Sequence, residues 1–158
     1  MKSTENAEEK TAGAVTPATI TLAPNPENHC FGCGGANDGG MKLTFVQDNE
    51  KRRIVGRFVL GERYQGGGGV GHGGIIATLL DEAMGKVCRF REVRAVTAEL
   101  SVQYLKPVSV QDAIVVEGWE EGEQNGRNLF HAGEIRNSAG EVLARGKARF
   151  VIIGEKRV

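Results

Sequence analysis

No run of apolar residues in the sequence is long enough to cross a bilayer, which excludes a helical membrane span. Net charge is missing too: 20 Lys and Arg offset 20 Asp and Glu, and nothing in that balance favours nucleic acid or a membrane surface as partner. The opening MKSTENAEEK is polar and acidic and lacks the apolar segment of a secretory leader. Cysteine is sparse and odd in number, three residues, which with no export signal argues for a reducing cytoplasm. Internal repeats are absent as well. What remains is 158 residues, 40% hydrophobic, enough for the core of one domain. Residues 1–26, rich in Thr, Ala, Glu and Pro and without periodicity, are expected to be a disordered tail, with Ile20 and Leu22 touching a single domain over 27–158.

The domain is organised around the stretch from Gly71 to Phe90. Ile75, Ile76, Leu79, Leu80, Ala83, Met84 and Val87 recur at helical spacing over a stripe too wide for a surface helix. Glu82, Lys86 and Arg89 form a narrow edge expected to be solvated, so the rest of the chain must wrap this helix. Asp81 is the anomaly, because its helical neighbours are Ala77, Thr78, Met84 and Gly85. A carboxylate beside an apolar stripe is costly unless it is paired, hydrogen-bonded or used.

His72-Gly73-Gly74 opens the helix, where first-turn N–H groups have no partner in the helix. Two glycines leave those donors open to a ligand oxygen; the plainer alternative is His72 as a cap. The run Gly66 to Gly69 lacks the Lys-Ser/Thr pair that follows a phosphate-binding loop, and is expected to be a strand-to-helix connector bordering the ligand. His29-Cys30-Phe31-Gly32-Cys33-Gly34 invites a zinc or redox reading. A zinc site needs four ligands, yet Cys88 lies inside the central helix, and His72 and His131 have no ligand-like spacing to the pair. A compact turn packing two small thiols is therefore expected, with no metal and no cofactor.

Elsewhere the apolar period is two. Met41 to Val46 and Ile54 to Leu60 read as strands joined by a turn at Gln47 to Lys51. Val96 to Tyr104, Ala113 to Glu121, Asn128 to Arg136 and Val142 to Ile153 follow, the last two linked by Asn137-Ser138-Ala139-Gly140. Gly133 and Gly146 interrupt them where a curved sheet would bend. One buried helix and about six hairpin-linked strands give an α+β class, an antiparallel sheet curled round a helix.

The segments HCFGCG, YQG, HGGIIATLLDEAMG, VTAELSVQYLKPV and a last strand ending AxGxAxFV together resemble the hotdog-fold acyl-CoA thioesterases of the phenylacetic-acid (PaaI-like) type, over about residues 29–153. The resemblance implies hydrolysis of an acyl-CoA to a free acid and CoA. It implies Asp81 as nucleophile or general base, Gly73 as the backbone donor to the thioester oxygen, His72 as the group polarising that carbonyl, and Thr97 beside the attacking water. Some branches carry Asn or Gln six positions ahead of the histidine; here Gly66 stands there, with Gln65 just before it. Gln65, Gly66, Gly74 and Lys106 are expected to border the substrate.

The chemistry is sound without the resemblance: a thioester needs an attacking oxygen and donors aimed at the developing oxyanion, while thiolate leaves without a strong acid. Gly73 and Asp81, eight residues apart (81 − 73 = 8), are separated by about 12 Å at 1.5 Å per residue. One carbonyl cannot meet both, so a homodimer with antiparallel helices, paired further into a dimer of dimers, is expected. A non-catalytic acyl-CoA-binding protein and an enoyl-CoA hydratase or dehydratase on the same fold remain the alternatives.

Overall fold

The computed structural model describes residues 16–155. Seven strands, β1 (Thr19–Leu22), β2 (Phe45–Asp48), β3 (Arg53–Val59), β4 (Val93–Tyr104), β5 (Ala113–Glu120), β6 (Asn128–Asn137) and β7 (Val142–Glu155), make one sheet in the order β1-β2-β3-β5-β6-β7-β4. Every pairing is antiparallel. A single long helix, α1 (Gly73–Lys86), enters between β3 and β4 and tightens into a 3-10 turn over Val87–Arg91. Glu92 ends the turn in the left-handed conformation. This is the expected hotdog architecture, a curved sheet around one helix. No helix among the described residues is long and apolar enough to cross a membrane.

The helix is held by the sheet's inner face. Ile76, Leu79, Leu80, Ala83 and Met84 meet Phe45, Ile54, Ile114, Val116, Leu129, Ile135 and Phe150, all but sealed from solvent. Each of these side chains other than Ala83 contributes about 1.5–3 kcal/mol of burial energy. A row of glycines sets how closely the layers approach: Gly118 is paired with Gly133, and Gly133 with Gly146, across three neighbouring strands. A Cβ on Gly118 would fall 2.7 Å from the Ala83 carbonyl oxygen, and one on Gly146 would fall 2.9 Å from Met84 Cε. Gly133 and Gly146 thus make room for α1, beyond the bend expected of them.

Three other expectations change. The part of the expected tail on residues 1–15 lies outside the described residues, but Thr19–Leu22 is β1, paired with β2 from Thr19↔Asp48 to Leu22↔Phe45. The stretch Met41–Thr44 is not a strand of the sheet. Lys42 is left-handed at φ 49°, and the Met41 and Leu43 amides donate to the carbonyls of Phe31 and Gly32 in the cysteine turn. That turn in turn covers the helix edge expected to be wet, leaving the Glu82 and Lys86 side chains only 14% and 17% exposed. Arg89 donates to Gln47 Oε1 at 2.8 Å.

Candidate active site

His72 is the N-cap of α1, extended at φ −60° and ψ 135°, and its Nδ1 accepts the Gly74 N–H at 2.9 Å. An accepting Nδ1 fixes the neutral tautomer, which leaves Nε2–H as a donor. The capping and donating roles of His72 are therefore compatible. The cap consumes the Gly74 amide, so Gly74 offers a ligand space and no N–H. Gly73, the first helical residue, keeps the amide that helix geometry leaves unpaired. Its carbonyl accepts from Tyr104 Oη at 2.7 Å, which ties β4 to the helix start. Tyr104 was not singled out by sequence, where it is only the last residue of an alternating strand.

Two and a half turns along, Asp81 is half-buried, and its Oδ1 accepts from Thr97 Oγ1 at 2.7 Å. Burial raises the Asp81 carboxyl above its ordinary range, with the Thr97 hydrogen bond pulling the other way. Thr97 stands at a break in the β4–β7 register: it faces Phe150, Glu99 faces Arg149, and Ala98 is the extra residue. Such bulges re-aim side chains, and here the two-residue alternation is interrupted beside Asp81. Asp81 and Thr97 border a cavity of about 820 Å³ with Val96, Phe150 and Leu22. His72 and Gly73 do not line it. The chain thus brings together Asp81 with Thr97, and His72 with Gly73, as two separate half-sites.

Gln65 and Gly66 belong to the second half. Gln65 bridges to Gly71, and a Cβ on Gly66 would lie 3.3 Å from His72 Cα. The loop from Gln65 to Gly71 is closed by the Gly66 N–H to the Val70 carbonyl, and is tied to the β4–β5 connection by the Val110 N–H to the Gly69 carbonyl. Lys106 is exposed and ion-paired with Glu141 of the β6–β7 turn.

Sequence spacing missed the partner of the cysteine pair. Cys30 Sγ donates to Glu82 Oε1 at 3.4 Å, while Lys86 Nζ donates to Oε2 at 2.7 Å. Cys33 lies with them: the three ligand-capable atoms of Cys30, Cys33 and Glu82 are all within 4.8 Å of one another. Burial, helped by Glu82, pushes the Cys33 thiol up to about 12. Burial works against the Glu82 charge, but Lys86 together with the Cys33 and Cys30 hydrogen bonds holds the carboxyl below its ordinary range. Glu82 stands 52 positions from Cys30 and reads from sequence as a surface residue, so no motif signalled it.

The domain that carries these half-sites matches known proteins. A family model described as the thioesterase superfamily matches residues 68–144, from the glycine loop to β7. Over those residues the chain is similar to the thioesterase superfamily. Acyl-coenzyme A thioesterase THEM4 of Rattus norvegicus is 33% identical over 104 residues, covering 66% of this chain and 44% of that protein. The Xenopus laevis protein of the same name is 28% identical over 120 residues, covering 75% and 54%. The chain thus spans about half the length of the curated relatives it matches. Among solved structures, a thioesterase superfamily protein aligns with TM-score 0.71 at 28% identity, over 78% of this chain and 60% of that one. The E. coli PaaI protein from the phenylacetic acid degradation operon shares the fold at TM-score 0.62 and 20% identity, over 66% and 75%.

Proposed function

We propose that this protein is an acyl-CoA thioesterase, hydrolysing the thioester to a free acid and CoA. The observation that carries the reading is Asp81, a half-buried carboxylate oriented by Thr97 on the wall of a cavity. In a partly dry site such a carboxylate is a better base than one in water. Acting as base, it takes a proton from a water whose oxygen adds to the thioester carbon; acting as nucleophile, it adds directly and water then opens the anhydride. In both routes the oxyanion is met by the Gly73 N–H and His72 Nε2–H at a helix N-terminus, and the thiolate leaves. Gln65, Gly66 and Gly74 border the acyl-CoA beside His72, and Lys106 would have to leave Glu141 to join them. The Asp81–Thr97 spacing of sixteen positions (97 − 81 = 16) recurs in a Streptococcus pneumoniae hypothetical thioesterase, whose aspartate and threonine so spaced were each replaced by alanine in solved structures. A neighbouring fold from Streptococcus mutans was solved bound to acetyl CoA. No histidine of the same chain lines the Asp81 cavity, which disfavours a hydratase whose acid–base pair stands on one subunit.

A homodimer completes the site. The two half-sites are about 12 Å apart along one helix. The outer edge of the sheet is β4, twelve residues long, with Val96, Leu100 and Tyr104 exposed. An exposed edge of that length is a template for pairing. A second copy docked antiparallel there would set its His72 and Gly73 against Asp81 and Thr97, twice over by symmetry, and such dimers pair further into tetramers. The three free thiols suit a reducing, cytoplasmic setting.

Turnover of a panel of acyl-CoAs, with benzoyl, phenylacetyl, short and long chains, tests the reading. Asp81→Asn should lower kcat on the best substrate by about 10²–10⁴-fold. Thr97→Val should lower it by about tenfold, near 1.4 kcal/mol. Near-wild-type hydrolysis by folded Asp81→Asn would remove Asp81 from the mechanism.

A further inference from the structure

We propose that Cys30, Cys33 and Glu82 bind a divalent transition-metal ion of the zinc class, fastening the cysteine turn to α1. Among the described residues this is the group of cysteine, histidine and carboxylate side chains whose ligand atoms converge. A tetrahedral ion with bonds of about 2.0–2.3 Å sets its ligands roughly 3.5 Å apart. Cys30 Sγ and Glu82 Oε1 already stand at 3.4 Å, and Cys33 closes the triangle within 4.8 Å. Two thiolates and one carboxylate suit zinc-class ions and are too soft a set for magnesium or calcium.

The turn is built to hold this geometry. The Cys30 amide donates to Asn28 Oδ1 at 2.7 Å, and the Gly34 amide to the Cys30 carbonyl at 2.9 Å. Met41 and Leu43 clamp the same turn through the Phe31 and Gly32 carbonyls. A Cβ on Gly32 would sit 2.5 Å from the Glu82 carboxyl, and one on Gly34 would sit 2.4 Å from the Cys30 nitrogen, so the Cys-Phe-Gly-Cys-Gly sequence is what lets the thiols reach Glu82.

Lys86 supplies the outer layer. It holds Oε2 and leaves Oε1 turned to Cys30, as an outer-shell partner orients a ligating carboxylate. Charge balances in both forms. With neutral thiols, the Glu82 anion is offset by Lys86. When the ion binds, it enters with two positive charges while Cys30 and Cys33 each release one proton, forming two metal–sulfur bonds and one metal–oxygen bond. The net charge of the cluster stays zero. Three protein ligands leave a fourth position, and Cys33 and Glu82 line the same cavity as Asp81.

The site stands apart from the hydrolysis reading, and its test does not use turnover. Metal-stripped full-length protein, reduced with a phosphine, is titrated with cobalt(II) as the optical stand-in for zinc. The expected result is a saturable one-to-one thiolate-to-cobalt charge-transfer band, release of two protons per ion, and bleaching by zinc. Cys88→Ser should leave the band unchanged. Cys30→Ser and Cys33→Ser should each remove the two-thiolate band, and Glu82→Gln should weaken binding by about ten- to a hundredfold. No band with wild-type protein in excess cobalt overturns the proposal without recourse to any variant. A band that survives Cys30→Ser, or is lost with Cys88→Ser, places the metal elsewhere and overturns it as well.

Discussion

His131 is buried at 1% exposure, and its Nδ1 lies 2.8 Å from the Met84 carbonyl. A carbonyl only accepts, so Nδ1 carries the proton, and Nε2 is left without a partner among the described residues. Protonating Nε2 would place a charge in the core against Phe150, whose ring centroid is 5.0 Å away. Burial accordingly lowers the His131 pKa, with the Met84 carbonyl and Glu120 opposing and Arg91 assisting. The unfolded histidine, near 6.5, takes up its proton first as pH falls. Stability is therefore full above about 6.5 and declines on acidification toward the lowered folded value. Urea midpoints at about pH 7.5 and about pH 5.5 should fall for the wild type and fall less for His131→Phe. An equal drop in the variant would assign the acid loss to other groups. Of the residues proposed for the site, Asp81, His72 and Gly73 were legible because each breaks a local rule: a charge in an apolar stripe, and glycines opening a helix. Tyr104 and Glu82 break none, and only their distant partners mark them.

Between elements, the glycine row fixes the distance from helix to sheet. Gly118 faces helix backbone, 2.7 Å from the Ala83 oxygen for an added Cβ, whereas Gly146 faces the flexible end of Met84. Gly118→Ala should therefore lose about 1–3 kcal/mol, Gly146→Ala less, and Gly67→Ala, which has open space, within about 0.5 kcal/mol of zero. Chemical denaturation of the three variants checks the order, and a Gly118→Ala as stable as Gly67→Ala would refute the close-approach account. Periodicity made α1 and five strands legible, because each buries one face of a long regular element. It missed β1, whose four residues offer only Ile20 and Leu22 as signal. It also started β2 too early, at Met41, since nothing in Met41-Lys42-Leu43 announces a left-handed lysine. Which helix edge is wet could not be read either, because the covering turn places Cys30 against Glu82 from 52 positions upstream.

For the whole molecule the decisive proposal is that each site is divided between two chains. Dimers of His72→Ala mixed with dimers of Asp81→Asn should regain about half the wild-type activity per heterodimer, one site holding both lesions and the other neither. No recovery despite proven subunit exchange would sink the shared site. The eight-residue gap between Gly73 and Asp81 then decides how a defect spreads through a mixed population. A chain with Asp81→Asn alone spoils one of two sites in any pair it joins, so equal co-expression with wild type leaves about half the activity. A chain carrying both lesions spoils one site with its missing carboxylate and the other with its missing histidine. It silences every wild-type chain it pairs with, and random pairing leaves about a quarter. Two recessive changes become dominant when inherited on one chain.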